Sequence, residues 1–158
     1  MKENLSLKGS DLVPVIKYVI ESGGEFKLLV TGSSMSPILI NERDYVFLVS
    51  AKDHNIKKGD IVFIKRHTGE YILHRVYKLI PNNKFIMNGD GQEWVEVVNN
   101  NQVLARVYKF ERNGREVLCS NIIYKFVVYI WMLLRPIRYQ LYRLRKCIRI
   151  IFKKEEQL

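Results

Sequence analysis

Between Phe26 and Leu118 the chain divides into seven short β-rich runs, each closed by turn-forming residues, and this spacing leaves few folds open. The runs are Phe26–Thr31, Tyr45–Ser50, Asp60–Lys65, Glu70–Ile80, Lys84–Met87, Gln102–Glu111 and Arg115–Leu118. Asn41-Glu42-Arg43-Asp44, Lys57-Lys58-Gly59, His67-Thr68-Gly69, Pro81-Asn82-Asn83 and Arg112-Asn113-Gly114 separate them. Such residues supply the turn conformations that link antiparallel strands, and Asn113-Gly114 suits a tight hairpin. Short strands at this spacing predict a mainly β domain, a folded antiparallel barrel or sandwich. Ahead of them, Leu12, Val15, Ile16, Val19 and Ile20 recur at helical spacing. They predict a short helix over 11–22, stopped by Gly23-Gly24, with Pro14 tolerated in its first turn.

After Ser120 the period changes again. Ile122 to Leu134 carries one charge, Lys125, and at about 1.5 Å per residue is too short for a hydrocarbon core of about 30 Å. Beyond Pro136, apolar Ile137, Leu141, Leu144, Ile148 and Ile151 alternate with arginine and lysine. From Asn121 onward nine basic residues face two acidic ones, so most of the net charge of +10 sits in this tail. An oily helix followed by a cationic amphipathic one predicts an in-plane anchor on an anionic membrane surface, through Ile122–Lys154. Helix packing on the β domain or on another subunit is the alternative. Nucleic acid is not expected as a partner, because the aromatic residues follow an oily helix and form no strand platform for bases. The division expected is a β domain over 1–120 and a helical cationic tail over 121–158.

The N-terminus has no apolar stretch that would read as a secretory signal or a membrane span. With the positive tail, this favours a peripheral or monotopic place at the cell membrane, on the cytoplasmic face. Cys119 and Cys147 form no disulfide framework, and no metal-ligand spacing exists, so neither a metal nor another cofactor is implied.

Three polar residues fall at strand ends or on strands: Ser34, in Gly32-Ser33-Ser34-Met35-Ser36-Pro37; His74, in Leu73-His74-Arg75-Val76; and Asp90, in Asn88-Gly89-Asp90. A hydroxyl, an imidazole and a carboxylate in that order are the components of an activated nucleophile. Each has a plainer reading. Loop serines bond nearby backbone, strand histidines often pack in cores, and Asn-Gly-Asp-Gly also describes a turn.

The Gly-x-Ser-Met-x-Pro wording, the Ile72-Leu73-His74-Arg75-Val76 box, Lys58-Gly59-Asp60-Ile61-Val62 and Asn88-Gly89-Asp90 together resemble the signal peptidase I family, in its archaeal and endoplasmic-reticulum type branch. The serine wording is shared with the self-cleaving repressor proteases. The resemblance runs from about Phe26 to Phe110. It implies Ser34 as nucleophile, His74 as general base where other members use lysine, and Asp90 orienting His74, with Glu96 as runner-up. It places an oxyanion site near Gly32 and Ser33, with Thr31 or backbone amides contributing. Gly91-Gln92 and Glu96 depart from the family's third box.

The function expected on this footing is a membrane-associated serine endopeptidase cleaving signal or leader peptides from a precursor protein or peptide. A catalytically inactive membrane-surface module on the same fold is the alternative. A self-cleaving regulator is not expected, since only 33 residues and one helix precede Ser34.

Overall fold

Ile61-Val62-Phe63-Ile64 shows no alternation of polar and apolar residues, and the structure explains why: all four side chains are buried, because both faces of their strand are covered. The computed structural model describes residues 9–52, 54–138 and 140. In order they form α1 (Gly9–Glu21), β1 (Phe26–Leu29), β2 (Asp44–Val49), β3 (Ile61–Lys65), β4 (Tyr71–Ile80), β5 (Lys84–Asn88), β6 (Glu96–Asn99), β7 (Val103–Arg112), β8 (Arg115–Leu118) and α2 (Ile122–Leu133). The chain is therefore mainly β, one antiparallel sheet with a helix before it and a helix after it. The sheet runs β1-β2-β7-β3-β4-β5-β6, with β8 paired to β7.

β7 joins the two halves. Along one edge it pairs with β2 from Asp44↔Arg112 to Val49↔Arg106. Its other edge pairs first with β3, at Phe63↔Ala105, and then with β8, at Lys109↔Leu118. Bulges at Phe47/Leu48 and Phe63/Ile64 accompany this crossing and add local twist. One apolar cluster lies under α1, where Val13, Ile16 and Ile20 meet Val46, Leu48, Ile61, Phe63 and Val107. A second, on the other face of β3, joins Val62, Ile64, Val76, Phe85, Met87 and Val98.

Two details differ from the sequence reading, and a third reading is not covered. β6, Glu-Val-Val-Asn, is too short to signal itself and exists because β5 supplies a partner from Met87↔Glu96 to Lys84↔Asn99. α1 begins at Gly9, so Pro14 falls a turn later than expected. The amphipathic pattern from Leu141 to Ile151 lies outside the described residues.

Asp44 anchors the loop that follows β1. Its side chain is fully buried, yet it accepts bonds from Arg43, Arg112 and the Ile40 amide. Burial opposes its ionisation, but those bonds outweigh burial and hold it well below the usual carboxylate range. Arg112 also donates to the Ile38 carbonyl, which ties the loop carrying Ser34 to β7.

Candidate active site

The 33–39 segment is a run of turns after β1, with a cis Ser36–Pro37 bond and Gly32 at φ +83°. Met35 and Leu39 drop into the first apolar cluster and pin the segment, leaving Ser34 half-buried on its upper side. The Gly32 amide donates to Asn41 at 2.7 Å, so it is already used and is not a spare donor for an oxyanion. By contrast, the amides of Ser33 and Ser34 and the Ser34 hydroxyl have no hydrogen-bond partner among the described residues.

Ser34 lines a mostly apolar cleft of about 570 Å³. One wall is β1 with Val30 and Thr31; the other is Tyr71, Ile72 and Leu73 of β4, with Phe63 beneath. Each wall has one edge that pairs with no strand among the described residues. β1 pairs only with β2, and β4 meets β5 only from Arg75 onward.

The Ser34 carbonyl accepts from the Gly91 amide at 2.8 Å, which seats the nucleophile candidate on the 88–91 turn. The approach is close enough to require glycine. A Cβ at Gly89 would stand 2.5 Å from the Ser34 oxygen, and one at Gly91 would stand 2.7 Å from that of Ser36. The Gly-Asp-Gly wording is thus explained by backbone contact with the serine loop.

Asp90 is placed differently from the sequence expectation. Its carboxylate takes Arg75 in a two-pronged pair, Nε to Oδ1 at 2.8 Å and Nη2 to Oδ2 at 2.7 Å, with both side chains almost wholly buried. No hydrogen bond joins Asp90 to His74, so orienting the imidazole is not what this carboxylate does here. Arg75 Nη1 also donates to the Gly59 carbonyl and the Tyr124 hydroxyl. Burial opposes the charge on Arg75, but Asp90 more than offsets it and raises the guanidinium's affinity for its proton.

His74 stands in register with Val62, on the face of the second apolar cluster. It is 2% exposed, and its Nδ1 has no hydrogen-bond partner. The nearest carboxylate is Glu96, with Oε1 at 3.7 Å, and the Trp94 ring meets the imidazole edge-on. Arg66 donates to both Glu96 oxygens, at 2.9 and 3.2 Å, and lies over Trp94. Burial, followed by the positive charge of Arg66, lowers the His74 pKa to about 4 against a weak opposing pull from Asp90. The Glu96 carboxylate is already committed to Arg66, so the guanidinium dominates the field at the ring. His74 is neutral at pH 7.

The structure therefore brings Ser34 to the Asp90 turn and His74 to Glu96, and no hydrogen bond joins Ser34 to His74. The link between the two is β4. Tyr71, Ile72 and Leu73 line the cleft, whereas His74, one residue further on, faces the second apolar cluster with Val62. Sequence reasoning missed Arg66, Trp94 and the Arg75–Asp90 pair. For the pair the adjacent letters His74-Arg75 were available, since alternation sends Arg75 to the face opposite His74.

Residues 3–107 match the model of a family described as Peptidase S24-like. No curated protein matches the chain. The match overturns the signal peptidase I resemblance. The serine wording was shared by both families, and the match also takes in the N-terminal helix that the resemblance left unexplained. The expected signal- or leader-peptide-cleaving enzyme with a Ser-His-Asp triad falls with it, and the Asp90–Arg75 pair removes that triad's third member.

Proposed function

The chain belongs to the Peptidase S24-like family, a serine-peptidase family, and from that premise we propose that it is a serine hydrolase cleaving an extended polypeptide segment with Ser34 as nucleophile and His74 as general base. The observation that carries the reading is the cleft: a serine with an unpartnered hydroxyl and amide, between two strand edges that lack ladder partners. An extended segment laid there gains backbone hydrogen bonds from β1 and β4 and apolar cover from Phe63, Tyr71 and Leu73.

In this reading Ser34 Oγ attacks the scissile carbonyl, forming the C–O bond as its proton passes to neutral His74. The amide of Ser34, joined by that of Ser33, faces the oxygen that becomes negative. Collapse expels the amine, which takes the proton back from His74, and water then releases the acyl group from Ser34 by the same route in reverse. Hydrogen bonds between nucleophile and base commonly tighten only when substrate closes the site. Glu96, held by Arg66, is the group placed to receive Nδ1–H as the imidazolium forms. The segment cleaved is one of this protein's own or one of another polypeptide.

The test is intact-mass spectrometry of purified parent chain, alone and with a mixture of unstructured peptides, beside Ser34→Ala and His74→Gln. Self-cleavage shows as fragments summing to the parent mass plus water, and cleavage of others as new peptides. Cleavage by the parent and its loss in both variants supports the reading. Cleavage that persists in Ser34→Ala, or a folded parent that cuts neither itself nor the mixture, refutes it.

A further inference from the structure

α2 has two faces with different fates. Its inner face is fixed to the domain at the site: Val128 and Met132 are buried, Tyr124 bonds Arg75, and Trp131 Nε1 donates to the Asp90 carbonyl at 3.2 Å. Its outer face is covered by nothing among the described residues. Ile122, Ile123, Phe126, Tyr129 and Leu133, with Ile137 just beyond the helix, are each between 55% and 81% exposed, and Lys125 is the one charge in the helix. Most exposed apolar residues on folded domains are scattered; a contiguous strip of this kind marks an interaction surface.

We propose that the outer face of α2 docks in the plane of an anionic lipid bilayer. Charge selects this occupant. The sequence that follows directly, from Arg135 to Lys154, carries eight basic residues and no acidic one. An apolar strip continued by a run of cations matches the boundary between acyl chains and acidic headgroups. Length fixes the orientation: twelve residues span about 18 Å, well short of a hydrocarbon core of about 30 Å. Among the described residues no helix is long and apolar enough to cross a membrane. Since the inner face is already occupied, the helix docks without leaving the domain. This surface stands independently of the peptidase reading.

The experiment is flotation of the full chain with vesicles of phosphatidylcholine alone and of phosphatidylcholine mixed with phosphatidylglycerol, at low and raised salt. The parent is expected to float with the mixed vesicles and to be released by salt. Phe126→Asp and Leu133→Asp should each weaken partitioning by about tenfold with unchanged circular dichroism. Should the charged variants fail to fold, Phe126→Trp replaces them, and mixed vesicles should shift its added emission to the blue. A folded parent that ignores the mixed vesicles, charged variants that float as well as the parent, or a Phe126→Trp emission that stays unmoved overturns the proposal. So does a vesicle-independent dimer that dissociates on Phe126→Asp, which would assign the face to a second copy of the chain.

Discussion

Replacing His74 by glutamine should flatten the dependence of stability on pH between 7 and 5. His74 holds no proton in the folded state until the pH nears about 4, against an ordinary value of 6.5. The unfolded chain therefore binds a proton that the folded chain refuses in this window, and acidification favours unfolding. The contribution is fully present above 6.5 and is lost as pH falls towards 4. At 1.36 kcal/mol per pH unit, the whole gap corresponds to about 3 kcal/mol, of which about 2 kcal/mol disappears between pH 7 and pH 5. Urea unfolding of parent and His74→Gln at both pH values isolates this term, since His54 and His67 are present in both chains. The loss on acidification should be smaller in the variant by about 2 kcal/mol. Identical losses in the two chains would refute the reasoning, for they would mean that the folded imidazole accepts a proton as readily as the unfolded one. Arg66→Met, which removes the nearest positive charge, should raise the His74 pKa and reduce the parent's acid sensitivity in the same assay.

Ser34→Ala should leave the fold intact by circular dichroism and lower cleavage by about a thousandfold or more. Gly89→Ala drives a Cβ against the Ser34 carbonyl and should reduce both kcat and thermal stability, whereas alanine at Gly69, where no atom lies nearby, should cost only its backbone strain and spare kcat. Arg75→Met leaves the Asp90 carboxylate buried without its partner and should destabilise the chain by about 3–5 kcal/mol, read by urea unfolding. Because His74 is the proposed base, the acidic limb of kcat/KM in the parent should fall near pH 4 rather than near 6.5, and Arg66→Met should move it upward.

The strand pattern was readable because short β-rich runs are separated by turns that carry their own chemistry, as Asn82, Asn83 and Asn113 show by their positive φ angles. β6 was not, since four residues acquire strand form only through a partner distant in sequence. The turn at Ser34 was legible from its neighbours: Gly32 permits it and Met35 supplies the buried anchor. The carboxylates were not. The sequence ranks Asp90 ahead of Glu96 as the partner of His74, but it does not show which side chain each carboxylate meets, and the structure sends Asp90 to Arg75 and Glu96 to the imidazole's side. The family was misread for a similar reason, because the most distinctive letters, around the serine, do not discriminate between the two families that use them.

β7 has a consequence for the order of events as the chain is made. β2, which follows the Ser34 loop, and β3, which leads through its hairpin to His74, are not neighbours; each pairs with β7 instead. Contacts spanning about sixty residues close slowly relative to local hairpins. In a growing chain, the strand pair that carries the Ser34 loop and the hairpin that carries His74 therefore gain their shared strand only once Arg112 has been made.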